Sequence, residues 1–147
     1  MWILFFSLVA CKETIEPNGT WTVSITGLDT DCVESEEGFL QTYEYSLYYD
    51  GSYVEIKVDG ESFAAGQIRG CAIQYESGVY LEESDSGDFR WFISGNADVE
   101  AAAGGCGDIP DEYDWYGTET LTVVSSDNEG VAEGCDYNME VVGTFNF

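Results

Sequence analysis

The side chains best able to do chemistry in this chain are its carboxylates. Of 147 residues, 29 are Asp or Glu, 4 are Lys or Arg, and none is His. Closely spaced carboxylates are hard oxygen ligands, the donor set that Ca²⁺ prefers. Three acidic segments offer them: Asp29 with Asp31; Glu82, Glu83, Asp85 and Asp88; and Asp108, Asp111, Glu112 and Asp114. The last is the densest and is the candidate metal site. None has the spacing of an EF-hand loop, and acids beside glycines also make ordinary solvated turns. Catalysis is poorly served. Without histidine the usual base near neutral pH is missing, no Gly-x-Ser-x-Gly occurs, and carboxylate pairs are unavoidable at this density. No catalytic residue is assigned and a non-catalytic role is expected.

Cysteine supplies a second chemistry. There are five: Cys11, Cys32, Cys71, Cys106 and Cys135. Cys11 closes an apolar run, Met1-Trp-Ile-Leu-Phe-Phe-Ser-Leu-Val-Ala10. That run is too short for a membrane span, which needs about 20 residues, and suits the core of a secretory signal. The other four cysteines, in an exported chain, are expected to form two disulfides. Three connectivities are open; Cys32–Cys71 with Cys106–Cys135 is the preferred one. Zinc is a poor alternative, with no CxxC pair and no histidine.

Aromatic residues form a third group. Tyr43, Tyr45, Tyr48, Tyr49 and Tyr53 cluster around Asp50-Gly51, and Tyr113, Trp115 and Tyr116 sit beside the last acidic segment. Exposed, they could stack on a ligand or partner; buried, they are cross-strand packing.

The elements that must position these groups are strands. From Gly19 onward apolar residues alternate with polar ones between turn residues, with no long helical period. Trp21, Val23 and Ile25 mark a first strand, ended by a turn at Gly27–Asp31. Thr42 to Tyr49 pairs through Asp50-Gly51 with Tyr53 to Val58, and Asp59-Gly60 is a second hairpin turn. Strands follow at Phe63–Ile68, Cys71–Glu76, Val79–Glu82, Phe89–Ser94, Tyr116–Ser125 and about Cys135–Phe147. Ala97–Ala103 reads as a helical turn or a continued strand. About eight antiparallel strands with short links form a meander, which closes as a barrel or splits into a sandwich. The barrel is favoured because closure removes exposed edges.

Two resemblances add to this. Leu8-Val9-Ala10-Cys11 resembles the signal of bacterial lipoproteins. The resemblance implies that residues 1–10 are removed and Cys11 is acylated. Lys12 in place of Asp implies the outer membrane of the bacterial cell envelope, at its periplasmic or surface face. Gly19-Thr20-Trp21 is similar to the Gly-x-Trp that opens the first strand of lipocalins and other calycins. There the resemblance implies that Trp21 closes one end of a barrel. The Thr-Asp-Tyr motif of that family and its C-terminal helix have no match.

The expected organisation is therefore a signal at 1–10, a tether at 11–18 and one β domain at 19–147. A formal net charge of −25 repels nucleic acid and keeps the domain soluble and monomeric. The leading expectation is a lipid-anchored, non-catalytic binding or structural module of the cell envelope with no cofactor, its partner a protein, glycan or small apolar ligand. The alternatives are a lipocalin-like carrier of a small apolar ligand and a Ca²⁺-dependent surface adhesin. A carrier requires an apolar cavity of roughly 300 Å³ or more; side chains of Trp21, Trp91, Phe92 and Val123 filling the interior would exclude it.

Overall fold

The computed structural model describes residues 19–32, 40–100 and 109–146. These form nine strands: β1 (Gly19–Thr30), β2 (Leu40–Asp50), β3 (Tyr53–Val58), β4 (Glu61–Arg69), β5 (Ala72–Ser77), β6 (Tyr80–Glu82), β7 (Phe89–Val99), β8 (Trp115–Ser126) and β9 (Asp136–Phe145). All pairings are antiparallel. The order is β5-β4-β3-β2-β1-β9-β8-β7-β6, and a further β5–β7 pairing closes the sheet. Eight strands thus make a closed barrel of the lipocalin-like kind expected, with β6 as an additional strand.

Alternation is what lets the sheet close around a core. Trp21, Val23 and Ile25 of β1, Tyr45 and Leu47 of β2, Val54 and Ile56 of β3, and Met139 and Val141 of β9 all point inward and are buried. The hairpin turns hold the register. Asp59 and Gly60 both take positive φ (49° and 87°), the conformation a two-residue type I′ turn requires. Asp59 Oδ1 also accepts the Glu44 N–H at 3.0 Å. The first hairpin turns one residue later than its Asp-Gly suggests: Asp50 pairs with Tyr53, leaving Gly51 and Ser52 as the loop.

Two expectations are corrected. Gly27–Asp31 does not end the first strand; β1 continues to Thr30, and a register shift between Gly27 and Asp29 absorbs the irregularity as a bulge. The disulfide joins Cys32 to Cys135, with Cα atoms 4.9 Å apart, not to Cys71. The barrel order explains this: β9 lies beside β1, with Thr30 opposite Tyr137. Cys32 and Cys135 therefore meet at one end, while Cys71, in the β4–β5 turn, lies at the other. Cys71 is itself disulfide-bonded. The continued-strand alternative holds for Ala97–Val99. Residues 1–18, including Cys11, and residues 101–108, including Cys106 and Asp108, lie outside the described residues.

Strands β5 and β6 both pair with β7, in succession: β5 with Ser94–Asp98 and β6 with Phe89–Trp91. They are in effect one strand broken at Ser77–Gly78. Ser77 bridges the break, its Oγ accepting the Ile93 N–H at 2.8 Å and donating to the Gly78 carbonyl at 2.8 Å.

Candidate ligand cavity

The two ends of the barrel differ. At the end where β1 begins, Trp21 is fully buried and packs edge-on against Trp115 (5.5 Å between ring centroids) and Phe145 (5.3 Å). The Gly-x-Trp pair has a steric reason here. A Cβ on Gly19 would come within 2.3 Å of the Trp21 ring, so only glycine lets the indole fold back across the opening. Trp21, Trp115 and Phe145 together fill this end of the barrel.

The other end is open, and a cavity of about 470 Å³ descends from it. This is within the usual range for small-molecule sites, roughly 300–1,000 Å³. Exposed Gln41, Glu61 and Ser62 rim the mouth. Below them the walls are Ile25, Val58, Ile93, Leu121 and Met139. One side is aromatic: Phe63 stacks on Tyr80 and Tyr80 on Trp91, with centroids 6.4 and 4.8 Å apart. Tyr80 belongs to β6, so the additional strand completes this wall. Of the residues that could have filled the interior, Trp21 caps the far end and Trp91 lines the cavity. Val123 packs in a separate cluster with Cys32 and Cys135. Phe92, between the inward positions Trp91 and Ile93, is half-buried and outside the core clusters.

A carboxyl group sits at the floor. Glu119 is only 1 % exposed, yet it lines the cavity. Its Oε1 accepts from the Tyr45 hydroxyl at 3.0 Å and the Tyr75 hydroxyl at 2.6 Å. Its Oε2, equally buried, has no hydrogen-bond partner among the described residues. Register brings Tyr75 there: Tyr75 pairs with Gly95 and Gly95 with Glu119. The phenol ring crosses directly over Gly95, where a Cβ would lie 2.1 Å from it. Both tyrosine rings also rest on Trp115, at 5.5 and 6.4 Å, so the carboxyl stands on the aromatic plug.

Burial dominates the electrostatics. It pushes the Glu119 carboxyl above its ordinary 4.5, while the bonds from Tyr75 and then Tyr45 pull it partly back. Burial, followed by the nearby Glu119 charge, raises the phenols of Tyr45 and Tyr75 far above 10.0. Both therefore stay neutral donors at any ordinary pH.

Among the other sequence-derived candidates, Asp111 and Glu112 are exposed. The Asp114 carboxylate instead accepts the Phe145 N–H at 2.8 Å, fastening the loop before β8 to β9. Asp31, Cys32 and Cys135 are the one group of potential ligand atoms close together among the described residues, but both sulfurs are in the disulfide. The tyrosine cluster divides by strand face: Tyr43 and Tyr45 line the cavity, whereas Tyr48 lies under the Lys57 ammonium, 4.7 Å from its ring centroid. Tyr113 stacks on Tyr116 away from the cavity, Trp115 being buried. Sequence reasoning missed Glu119. Its signal was present: in Trp115, Gly117, Glu119, Leu121, Val123, it is the single charge on the inward face of β8.

No protein-family model, curated protein or solved structure matches this chain, so its functional reading rests on the geometry of the site.

Proposed function

We propose that this protein is a non-catalytic, lipocalin-like carrier that holds a small, largely apolar molecule inside its barrel. The observation that carries this reading is the 470 Å³ cavity, open at one end and walled by aliphatic and aromatic side chains. A barrel serving only as a structural module has no reason to leave such a volume open, since interiors otherwise pack to crystal density. The cavity brings together one carboxyl group with two neutral phenols, a set suited to orienting a ligand. The net charge of −25 disfavours anionic ligands and admits neutral or cationic ones. Acylation at Cys11 would hold the carrier at the bacterial cell envelope; mass spectrometry of the processed N-terminus tests that part.

The carrier reading is tested with N-phenyl-1-naphthylamine, a neutral apolar dye whose emission rises when it leaves water. Saturable binding near one dye per chain is expected. Leu121→Trp, which fills the cavity from its wall, should weaken binding at least tenfold, about 1.4 kcal/mol, with the far-ultraviolet circular dichroism unchanged. Absence of saturable binding, or equal binding by the filled variant, overturns the reading.

A further inference from the structure

We propose that the ligand is an amphiphile bearing a protonated amine, whose N–H donates to Glu119 Oε2 at the cavity floor while its apolar body lies along the Phe63–Tyr80–Trp91 wall. The inference rests on the carrier reading and names the chemistry of its ligand.

The floor of the cavity is asymmetric. Oε1 of Glu119 receives both phenolic protons. Glu119 lines the cavity, and its Oε2 is buried there without a partner among the described residues. A buried acceptor left unmade costs about 1–3 kcal/mol, and more when charged, so a ligand donor reaching Oε2 would gain that back. Three observations favour an ammonium donor over a neutral one. Two phenols donating to one oxygen stabilise the carboxylate more than the acid. Among the described residues, no Lys or Arg lines the cavity to neutralise it. The net charge of −25 draws a cation toward the protein in preference to a neutral molecule. Burial alone opposes ionisation of Glu119; a bound ammonium supplies the missing counter-charge and forms a charge-assisted hydrogen bond. The N–H requirement further separates primary and secondary amines from quaternary ammonium groups, which cannot donate.

The test is calorimetric titration near neutral pH with three probes of equal chain length: n-octylamine, 1-octanol and octanoate. The expected order is octylamine tightest, by about tenfold or more over octanol, as a hydrogen bond to a charged group implies, with octanoate weakest. Glu119→Gln keeps the shape and an acceptor for both phenols. It should reduce the amine-to-alcohol ratio to near unity. Leu121→Trp should weaken all three. Both variants leave the surface carboxylates in place, so an amine preference that persists in them marks surface attraction and overturns the proposal. Equal affinity for all three probes, or preference for octanoate, in the unaltered protein also overturns it while leaving the carrier reading intact. If none of the three binds, and the dye does not either, the carrier reading itself falls. Should Glu119→Gln fail to fold, Leu121→Trp makes the separation: an amine preference of unchanged size there marks surface attraction and overturns the proposal.

Discussion

At the scale of single residues, Glu119 dominates. A carboxyl group 1 % exposed in an otherwise apolar interior disfavours its own ionised form. Its native affinity for a proton exceeds that in the unfolded chain, where the ordinary 4.5 applies. Below that value the group is protonated in both states and no ionisation penalty arises. As pH rises from there through the raised native value, unfolding releases a proton, and this residue's contribution to stability is lost. The difference between wild type and Glu119→Gln isolates this group. Urea midpoints are expected to show the variant gaining on the wild type as pH climbs from about 4.5 to neutrality. A constant difference across that range would mean that Glu119 does not titrate between the two states.

At the scale of elements, two joints hold the open end. Ser77 bridges the break between β5 and β6 by accepting the Ile93 N–H. Ser77→Ala leaves that buried donor unpaired and should cost about 1–3 kcal/mol, read as a lower urea midpoint and faster exchange of the Ile93 amide. The Cys32–Cys135 bond spans 103 residues and ties the end of β1 to the start of β9. A loop of that length predicts about 4–5 kcal/mol from restriction of the unfolded chain. The Cys32→Ala/Cys135→Ala double variant is expected to lose stability of that order, and non-reducing peptide mapping of the wild type should show Cys32 linked to Cys135.

At the scale of the whole molecule, charge sets the conditions. With a net charge of −25, self-repulsion loosens the compact state at low ionic strength. Raising salt from about 0.01 to 0.15 M shortens the screening length from roughly 30 to 8 Å, and Tm should rise with it. Ca²⁺ at matched ionic strength is expected to add nothing beyond NaCl. A distinctly larger rise would identify a specific cation site and favour the adhesin over the carrier.

Much of this was legible in the order of residues. Alternation around Trp21, Tyr45 and Ile56, with glycine-bearing turns such as Asp59-Gly60, specified strands and their short links, because side-chain direction in a strand depends only on parity. That a meander of about eight such strands should close followed from the need to satisfy its edges. That Gly19 leaves room for the Trp21 ring was not legible, since it depends on how the indole folds back over the strand. Three further things needed the tertiary structure. The partner of Cys32 depended on which strands become neighbours after closure, a relation between positions 103 apart. The hollow interior depended on how side chains from opposite walls meet, which parity does not report: Trp91 was free to fill the centre and instead stacks against Tyr80. Glu119 was visible only as one acid among 29. Its difference from the rest arises from the convergence of Tyr45 and Tyr75 from two other strands, and from a glycine at position 95 over which a phenol can pass. Local pattern decides which way each side chain points, but only closure of the barrel decides what it meets there.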